Sequence, residues 1–187
     1  MIITGTIDHV QHRSYYRTDK KINYYEVLVS YNFYNGVNKI LLLAKDFDKR
    51  YVSSKDQLFV FDFDAATKFI NGKLTTDFYL HECKPLNKKD GNSLVVVRTY
   101  FEKDKFEVLQ KQDVKGRTKI FAKFTSKDPN QPPLHCYFWE DNHFLVDLNK
   151  VNKIQLNCRS LPYKDKFISN IDIWRTMENE NFIGSII

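Results

Sequence analysis

Runs in which apolar and polar residues alternate recur along the chain and predict β-strands. The clearest run extends from Tyr24 to Phe33, where every second residue is apolar or aromatic. A period of two places these side chains on one face of a strand, which is typical of a half-buried strand. Asn35-Gly36 follows this run, and Asn-Gly between alternating segments is a strong hairpin signal. The sequence therefore predicts a hairpin centred on Asn35-Gly36.

The remaining runs divide into two sets of similar order. In the first half we predict strands at Ile2–Val10, Tyr24–Phe33, Val37–Lys45, Leu58–Asp64 and Leu74–Cys83. A short helix or loop at Asp46–Lys55 precedes the fourth strand, and Asn71-Gly72 marks a second hairpin turn. In the second half we predict strands at Ser93–Phe101, Lys119–Thr125, Leu134–Glu140, Lys153–Arg159 and Phe167–Arg175. Val114–Arg117 and Pro162–Asp165 are predicted turns of this half.

A polar stretch near mid-chain separates the two sets. Residues 87–92 are rich in turn-forming and charged residues and have no apolar periodicity, which is typical of a linker. We therefore predict a first domain at residues 1–86, a linker at 87–92 and a second domain at 93–187.

The two halves also align with each other by pattern. Leu58 matches Ile154 at an offset of 96, and Leu74 matches Phe167 at an offset of 93. We attribute the difference of three residues to the intervening turn, because loop length varies at little cost. Few residues are identical, so the match indicates duplication by strand order rather than by sequence.

Composition agrees with a mostly β chain and adds a basic charge. Aromatic residues make up 15% of the 187 residues, and aromatic side chains favour strands. The formal net charge is +6, which attracts polyanions such as nucleic acid, although solubility alone also explains it. Abundant Lys and Asn fit an AT-rich bacterium, virus or mobile element.

Several function classes find no support in the sequence. Cys83, Cys136 and Cys158 are widely spaced and form no CxxC pair, so we expect no zinc site and a reducing compartment. No signal peptide and no apolar run of membrane-spanning length occurs, so we expect a cytoplasmic protein. The five histidines are scattered and no catalytic motif is present. We expect neither an enzyme nor a cofactor.

Three segments carry a resemblance to a known family. KDQLFVFDFDAATKFINGKLTTDFYLHECK, residues 55–84, resembles the end of single-stranded-DNA-binding proteins, with a polar turn, an apolar strand, an Asn-Gly hairpin and a final strand. NKVNKIQLNCRSLPYKDKFISNIDIWRTM, residues 149–177, resembles the same module, and IITGTIDHV is similar to the opening strand of that family. The resemblance implies an all-β fold of two five-stranded oligonucleotide/oligosaccharide-binding (OB) barrels in tandem, with short helical insertions.

The resemblance also implies where nucleic acid binds. Aromatic rings stack on bases and cations contact phosphates, mainly on the outward face of the second and third strands. In the second half, if Ile120, Ala122 and Phe124 point inward, Lys119, Phe121 and Lys123 point outward. If Leu134, Cys136 and Phe138 of the next strand point inward, the outward residues there are His135, Tyr137 and Trp139. Arg159 and Trp174 extend this set from the last two strands. Packing of these rings against the first barrel or another subunit is the alternative.

In the first half the candidates lie in a basic, tyrosine-rich segment that we predict to be a loop. The residues are Arg13, Tyr15, Tyr16, Arg17, Lys20 and Lys21, with Tyr34 and Lys39 beside the Asn35-Gly36 turn. Alternating cations and rings suit the clamping of a single strand, since Arg also stacks on bases. An ordinary solvated hairpin tip fits the same pattern.

The sequence therefore predicts a non-enzymatic protein that binds single-stranded nucleic acid, DNA more than RNA, in replication, recombination or DNA transfer. A homo-oligomer or a replication protein are further partners that fit. The alternative is a β-rich structural or assembly protein of a virus or mobile element, whose aromatic patches contact protein.

Overall fold

The strands of three long hairpins, at residues 2–33, 59–85 and 152–176, extend further than the sequence pattern indicates. A computed structural model describes residues 1–33, 36–53, 57–70, 73–86, 98–101, 106–125, 133–140 and 152–176. In the first half the strands are β1 (Ile2–Arg17), β2 (Lys20–Phe33), β3 (Gly36–Ala44), β4 (Phe59–Ile70) and β5 (Lys73–Pro85), with a short 3₁₀ helix at Lys49–Ser53. In the second half they are β6 (Arg98–Phe101), β7 (Phe106–Val114), β8 (Arg117–Phe124), β9 (Leu134–Trp139), β10 (Asn152–Tyr163) and β11 (Lys166–Thr176).

The first five strands form a closed barrel. β1 pairs with β2, β2 with β3, and β4 with both β5 and β1, all antiparallel. A parallel pairing of β3 with β5, through Leu42 opposite Phe78, closes the ring. The all-β class and a five-stranded OB-like barrel are thus confirmed. A hairpin after β2 is confirmed, but its centre lies one residue earlier than predicted. Gly36 is the first residue of β3, opposite Phe33, so residues 34–35 rather than Asn35-Gly36 lie between the strands.

The barrel core is built from alternate residues of these strands. Val27, Val29, Tyr31 and Phe33 of β2 are all buried, as the alternation predicts. Rings from β4 and β5 fill the centre, and Phe63 meets Phe78 edge-on at 5.7 Å between ring centroids. The side chains between the buried positions face outward and form the outer surface of the barrel.

Gly5 marks the position where β1 passes from one partner to another. It pairs with Phe59 of β4, and the next residue, Thr6, pairs with Ser30 of β2. A Cβ atom on Gly5 would lie 2.4 Å from the Ser30 carbonyl oxygen. The strands approach too closely here for any side chain, which explains the glycine.

The described strands of the second half are also linked by pairing. β6 pairs with β10, β10 with β11, β9 with β8, and β8 with β7, all antiparallel. β11 pairs in parallel with β9 through Asp172 and Tyr137. The order is β6-β10-β11-β9-β8-β7. Lys115 and Gly116, with φ of 56° and 78°, form the predicted turn before Arg117.

The β4–β5 and β10–β11 hairpins share one register. Asp62 lies opposite Glu82 and Phe63 opposite Leu80, so β5 carries one extra residue at that point. The same irregularity occurs 93 residues later, where Gln155 lies opposite Arg175 and Leu156 opposite Ile173. Both hairpins leave two residues between the strands, residues 71–72 and 164–165.

The sequence alignment of the halves was therefore wrong at one end. The offset of 93 at Leu74/Phe167 holds through both strands, and Ile154 corresponds to Phe61 rather than to Leu58. The three-residue difference in turn length does not exist. Alternation alone does not fix register, and an odd shift moves every side chain to the opposite face.

The two halves share one apolar cluster and several hydrogen bonds. Leu41 N–H donates to Ser160 Oγ at 2.9 Å, and the Tyr31 hydroxyl donates to the Cys158 carbonyl oxygen. β5 and β11 pair antiparallel through Thr76 and Ser169, which are counterparts at the offset of 93. An antiparallel pairing between counterpart positions places a local two-fold axis between these strands.

Other sequence predictions need correction or lie outside the described residues. The basic segment Arg13–Arg17 is strand rather than loop, and the charged segment after Phe101 contains β7. Both were missed because polar residues on both faces of a two-stranded ribbon show no alternation. The predicted linker, residues 87–92, lies outside the described residues. In the parts of the chain that the structure describes, no helix is long and apolar enough to cross a membrane.

Candidate nucleic-acid interface

The neighbouring strands β8 and β9 present one outward face. Lys119 lies opposite Trp139, Phe121 opposite Tyr137, and Lys123 opposite His135. Side chains directly opposite in an antiparallel pair share a face, so the register brings all six predicted residues together. The two ends of this face differ in what covers them.

One end of the face is a cation–aromatic cluster that is open to solvent. Tyr137 and Trp139 are half-buried, and Lys119 Nζ lies 4.3 Å from the Tyr137 ring centroid. The Arg117 guanidinium lies 4.5 Å from the Trp139 ring centroid. We call Arg117, Lys119, Tyr137 and Trp139 the cation–aromatic cluster.

Arg117 was absent from the residues predicted to bind. The sequence assigned it to a turn, whereas it begins β8, two residues before Lys119. Residues two apart in a strand share a face, so extending the Lys119 alternation by one step would have found it.

The other end of the face is covered. Phe121 and His135 are each only 9% exposed, and their rings stack at 5.7 Å with an interplanar angle of 20°. Thr67 of β4, in the first half, lies against His135 with its Oγ1 2.5 Å from Nδ1. The expectation that Phe121 and His135 lie open to a ligand is therefore corrected. Phe121 and His135 instead pack against the first barrel, which is the alternative that the sequence analysis left open.

The contacts of Thr67 indicate how the His135 ring is held. Thr67 Oγ1 also lies 3.0 Å from the Pro133 carbonyl oxygen, which can only accept a hydrogen bond. When the single threonine hydroxyl proton is donated there, Nδ1 of the imidazole donates to Oγ1. Burial, followed by the Lys123 charge, lowers the pKa of His135. This environment favours the neutral imidazole and a packing role.

Arg159 is engaged by a partly buried carboxylate. Its Nη2 lies 3.0 Å from Asp172 Oδ2, and Asp172 lies beside Tyr137 across the β11–β9 pairing. Burial raises the pKa of Asp172, while the charges of Arg159 and Lys119 oppose that shift. Arg159 thus compensates an internal charge at the edge of the cation–aromatic cluster. Trp174 is the extra residue of β11, and its side chain lies outside the described residues.

Six of the eight first-half candidates lie on a two-stranded arm. β1 and β2 continue as a hairpin to a turn at Thr18 and Asp19, whose φ angles of 48° and 65° fit a two-residue turn. Paired positions place Arg13, Tyr15, Arg17 and Lys20 on one face of the arm, and Tyr16 and Lys21 on the other. Tyr16 is 74% exposed. The six residues therefore lie on two faces rather than in one patch.

One cation of the arm, Arg13, and one on the neighbouring strand β3, Lys39, are held by carboxylates. Arg13 Nε donates to Glu26 Oε2 at 3.0 Å, and Lys39 Nζ donates to Asp8 Oδ2 at 2.7 Å. Lys39 is exposed, so a phosphate would compete with Asp8 for it. Tyr34 lies outside the described residues.

The described residues contain no group of three His, Cys, Asp or Glu side chains placed to hold a metal ion. All three cysteines are free thiols, and Cys136 and Cys158 are buried in the core. Burial raises the pKa of each thiol, to about 12 for Cys83. Such thiols are poor nucleophiles at neutral pH.

Comparisons with known proteins give structural likenesses only. No protein-family model and no curated sequence matches the chain. A deletion mutant of the single-stranded DNA binding protein from Thermus aquaticus matches with a TM-score of 0.47 and 12% identity, covering 100% of this chain and 96% of that one. The wild-type Thermus aquaticus protein matches with a TM-score of 0.46 and 11% identity, covering 98% and 93%.

A replication protein A heterotrimer bound to single-stranded DNA matches with a TM-score of 0.32 and 10% identity, covering 92% of this chain and 48% of that one. All three TM-scores lie below 0.5, so these likenesses carry no function across to this chain.

Proposed function

We propose that this protein binds single-stranded nucleic acid, most favourably DNA, without catalysing a reaction. The observation that carries this proposal is the cation–aromatic cluster. Two half-exposed rings lie next to each other on β9, and each has a cation within 4.5 Å of its ring centroid. Stacking rings with adjacent cations are the two elements that single-strand binding needs.

The energies favour displacement of the cations by bases. An exposed cation–π contact contributes about 0.5–1 kcal/mol, whereas a base stacked on an aromatic ring contributes about 1–3 kcal/mol. A base that replaces Lys119 over Tyr137 leaves the ammonium group free to contact the adjacent phosphate. The same exchange applies to Arg117 and Trp139. Binding thus gains a stacking contact and a phosphate contact at each ring.

The arm supplies further phosphate contacts. The Thr18-Asp19 turn is flanked directly by Arg17 and Lys20, and Lys21 follows Lys20. All three cations are exposed. Tyr15 and Tyr16 interleave with them on opposite faces. A flexible single strand can follow both faces of such an arm, whereas a rigid duplex cannot contact both faces at once.

We also propose that the second half is a second barrel of the same order. In the β10 register, Arg98–Phe101 of β6 occupies the place that Ile2–Gly5 of β1 occupies beside β4. β7 then corresponds to the part of β1 that pairs with β2. The domain division at residues 1–86, 87–92 and 93–187 follows, and replication, recombination or DNA transfer are the processes that such a protein would serve.

The test is titration of a fluorescein-labelled oligo-dT with the protein and its variants. Because each stacked base contributes about 1–3 kcal/mol, Tyr137→Ala with Trp139→Ala should weaken binding by about 2–6 kcal/mol, or at least about 30-fold. Tyr137→Phe with Trp139→Phe keeps both rings and serves as the matched control, which should bind within a few-fold of wild type.

Equal affinities for the alanine and phenylalanine variants would contradict the proposed site. Absence of binding by the wild-type protein at low salt, together with stable oligomers in solution, would favour the assembly-protein alternative.

A further inference from the structure

A carboxylate lies beside the cation–aromatic cluster, on the side of β9 that faces away from β8. Asp172 of β11 pairs in parallel with Tyr137 of β9. Neighbouring strands lie about 4.8 Å apart, and paired residues direct their side chains to the same face of a sheet. The side chain of Asp172 is 24% exposed. A base that stacks on Tyr137 therefore places one of its edges next to this carboxylate.

Two cations compensate the charge of Asp172. Arg159 Nη2 lies 3.0 Å from Asp172 Oδ2, and the charge of Lys119 also acts on this carboxylate. Lys119 is the cation over the Tyr137 ring, 4.3 Å from its centroid. In the binding mode proposed above, Lys119 leaves this ring for a phosphate when a base stacks there. Asp172 then loses one compensating charge, and the edge of the base takes that place.

The contact between Arg159 and Asp172 leaves hydrogen-bonding capacity unused. In the part of the chain that the structure describes, Arg159 Nε and Asp172 Oδ2 are buried and neither atom has a hydrogen-bond partner. The charges of the pair attract each other, but Oδ2 is not held by a hydrogen bond. Rotation about χ2 of an aspartate meets only a broad, shallow preference. The carboxylate of Asp172 can therefore turn toward a donor on a ligand.

Stability of the fold does not account for this pair. Replacement of a buried ion pair by apolar residues is often neutral or stabilising, because both charges must be removed from water. Buried polar atoms without partners add to that cost. Arg159 and Asp172 border the cation–aromatic cluster, so a ligand bound there can supply the missing partners. We therefore searched for the ligand chemistry that fits both groups.

The donors and acceptors beside Tyr137 fit guanine. A carboxylate only accepts hydrogen bonds, and a guanidinium only donates them. Unstacked bases expose their Watson–Crick edge to such groups. On guanine this edge carries two adjacent donors, N1–H and the N2 amino group, next to the acceptor O6. Thymine offers a single donor, N3–H, between two carbonyl oxygens that a carboxylate repels, and cytosine and adenine each offer one amino group beside a ring nitrogen acceptor.

We propose that Asp172 is a specificity-determining residue, which accepts hydrogen bonds from guanine when that base stacks on Tyr137, while Arg159 donates to O6. This inference rests on the proposed function and adds a base preference at one position of an otherwise sequence-tolerant strand. A hydrogen bond to a charged group favours guanine at this position by about 10- to 150-fold. The Arg159 guanidinium is 41% exposed, which leaves it accessible to the base.

The test compares the binding of three labelled oligomers to the wild-type protein. They are oligo-dT, the same oligomer with one central deoxyguanosine, and that oligomer with deoxyinosine in its place. Inosine keeps the purine ring, N1–H and O6 but lacks the N2 amino group, so it controls for stacking. The guanosine oligomer should bind at least about 3-fold tighter than the inosine oligomer, since the base meets Tyr137 in only some registers of the strand.

Two variants assign the preference to its residue. Asp172→Asn should abolish the difference between the guanosine and inosine oligomers, because a neutral amide has one acceptor oxygen and accepts weaker hydrogen bonds. The matched control is Asp64→Asn, which removes an exposed carboxylate that contacts His81 on the first barrel at 2.9 Å. This variant should keep the wild-type ratio. The ratio is taken within each variant, so a general loss of affinity cancels.

Equal affinities of the wild-type protein for the guanosine and inosine oligomers would overturn the inference, and this comparison needs no variant to fold. An unchanged ratio in Asp172→Asn would overturn it as well. Both results leave the proposed function intact, because binding of oligo-dT does not depend on this preference. Failure of the wild-type protein to bind any of the three oligomers would overturn the proposed function and the inference together.

Discussion

Substitution of Gly5 by alanine tests whether β1 is held as closely between β2 and β4 as the barrel requires. The added Cβ would lie 2.4 Å from the Ser30 carbonyl oxygen and 2.9 Å from Val29 Cγ1, whereas ordinary contacts begin at 3.4 Å. The strands must therefore separate by about 1 Å. The nearest atom belongs to the backbone and cannot rotate away. β4 holds β1 from its other side through Gly5 opposite Phe59.

Overpacking of this kind costs about 1–3 kcal/mol, and the rigid carbonyl places Gly5→Ala near 3 kcal/mol. The matched control is Gly36→Ala, because a Cβ there meets nothing within 4 Å. That variant should gain up to about 1 kcal/mol from the lower entropy of its unfolded chain. Urea unfolding measures both free energies, and the thermal midpoint of Gly5→Ala should fall by about 6–12 °C in a chain of this size. Equal stabilities for the two variants would refute the close approach at Gly5.

Three further outcomes follow from the contacts between the halves and from the site. Ser160→Ala leaves the Leu41 N–H without its acceptor, so the free energy of unfolding should fall by about 1–3 kcal/mol in urea titrations; no change would contradict this hydrogen bond. His135 has a lowered pKa, so the folded state binds fewer protons than the unfolded chain, and stability should decline as the pH falls below about 6.5. His135→Gln should remove that part of the decline, which unfolding at pH 7.5 and 5.5 would reveal. Arg117→Gln should lower the salt slope of oligo-dT binding by about 0.7, and an unchanged slope would exclude a phosphate contact there.

The strand pattern predicted the barrel core well, because burial on one face leaves a period of two in the sequence. Val27, Val29 and Tyr31 are buried as expected, and so are Ile120 and Ala122 in the second half. The arm and β7 escaped prediction for the opposite physical reason. Their residues are exposed on both faces, so hydrophobic burial imposes no alternation on them.

The sequence predicts which way the side chains of the candidate site face, but not which of them are covered by the other half. The outward positions of β8 and β9 follow from the pleat, and all six share one face. His135 is covered by Thr67, which lies 68 positions before it in the chain, and Phe121 stacks on the His135 ring. A contact between residues so far apart in the chain leaves no pattern in the local sequence. Arg117 was missed because a strand boundary was placed a few residues too late.

The shared register of the two hairpins supports duplication of the halves more strongly than the few identical residues do. The same extra residue occurs at His81 and at Trp174, on strands that otherwise differ in sequence. Hydroxyl residues also correspond, since the buried Thr67 and Thr76 have the buried Ser160 and the half-buried Ser169 as counterparts. Thr67 contacts β9 of the second half, and Ser160 contacts β3 of the first. Each half thus uses the same position to hold the other.

The proposed function is the binding of single strands through stacked bases and phosphate contacts. Its most direct test is anisotropy of labelled oligo-dT, titrated with wild-type protein at several salt concentrations between roughly 50 and 500 mM. We expect tight binding at low salt, with log K falling linearly against log salt concentration and weaker binding to a duplex of equal length. No binding at the lowest salt, or an affinity independent of salt, would contradict it.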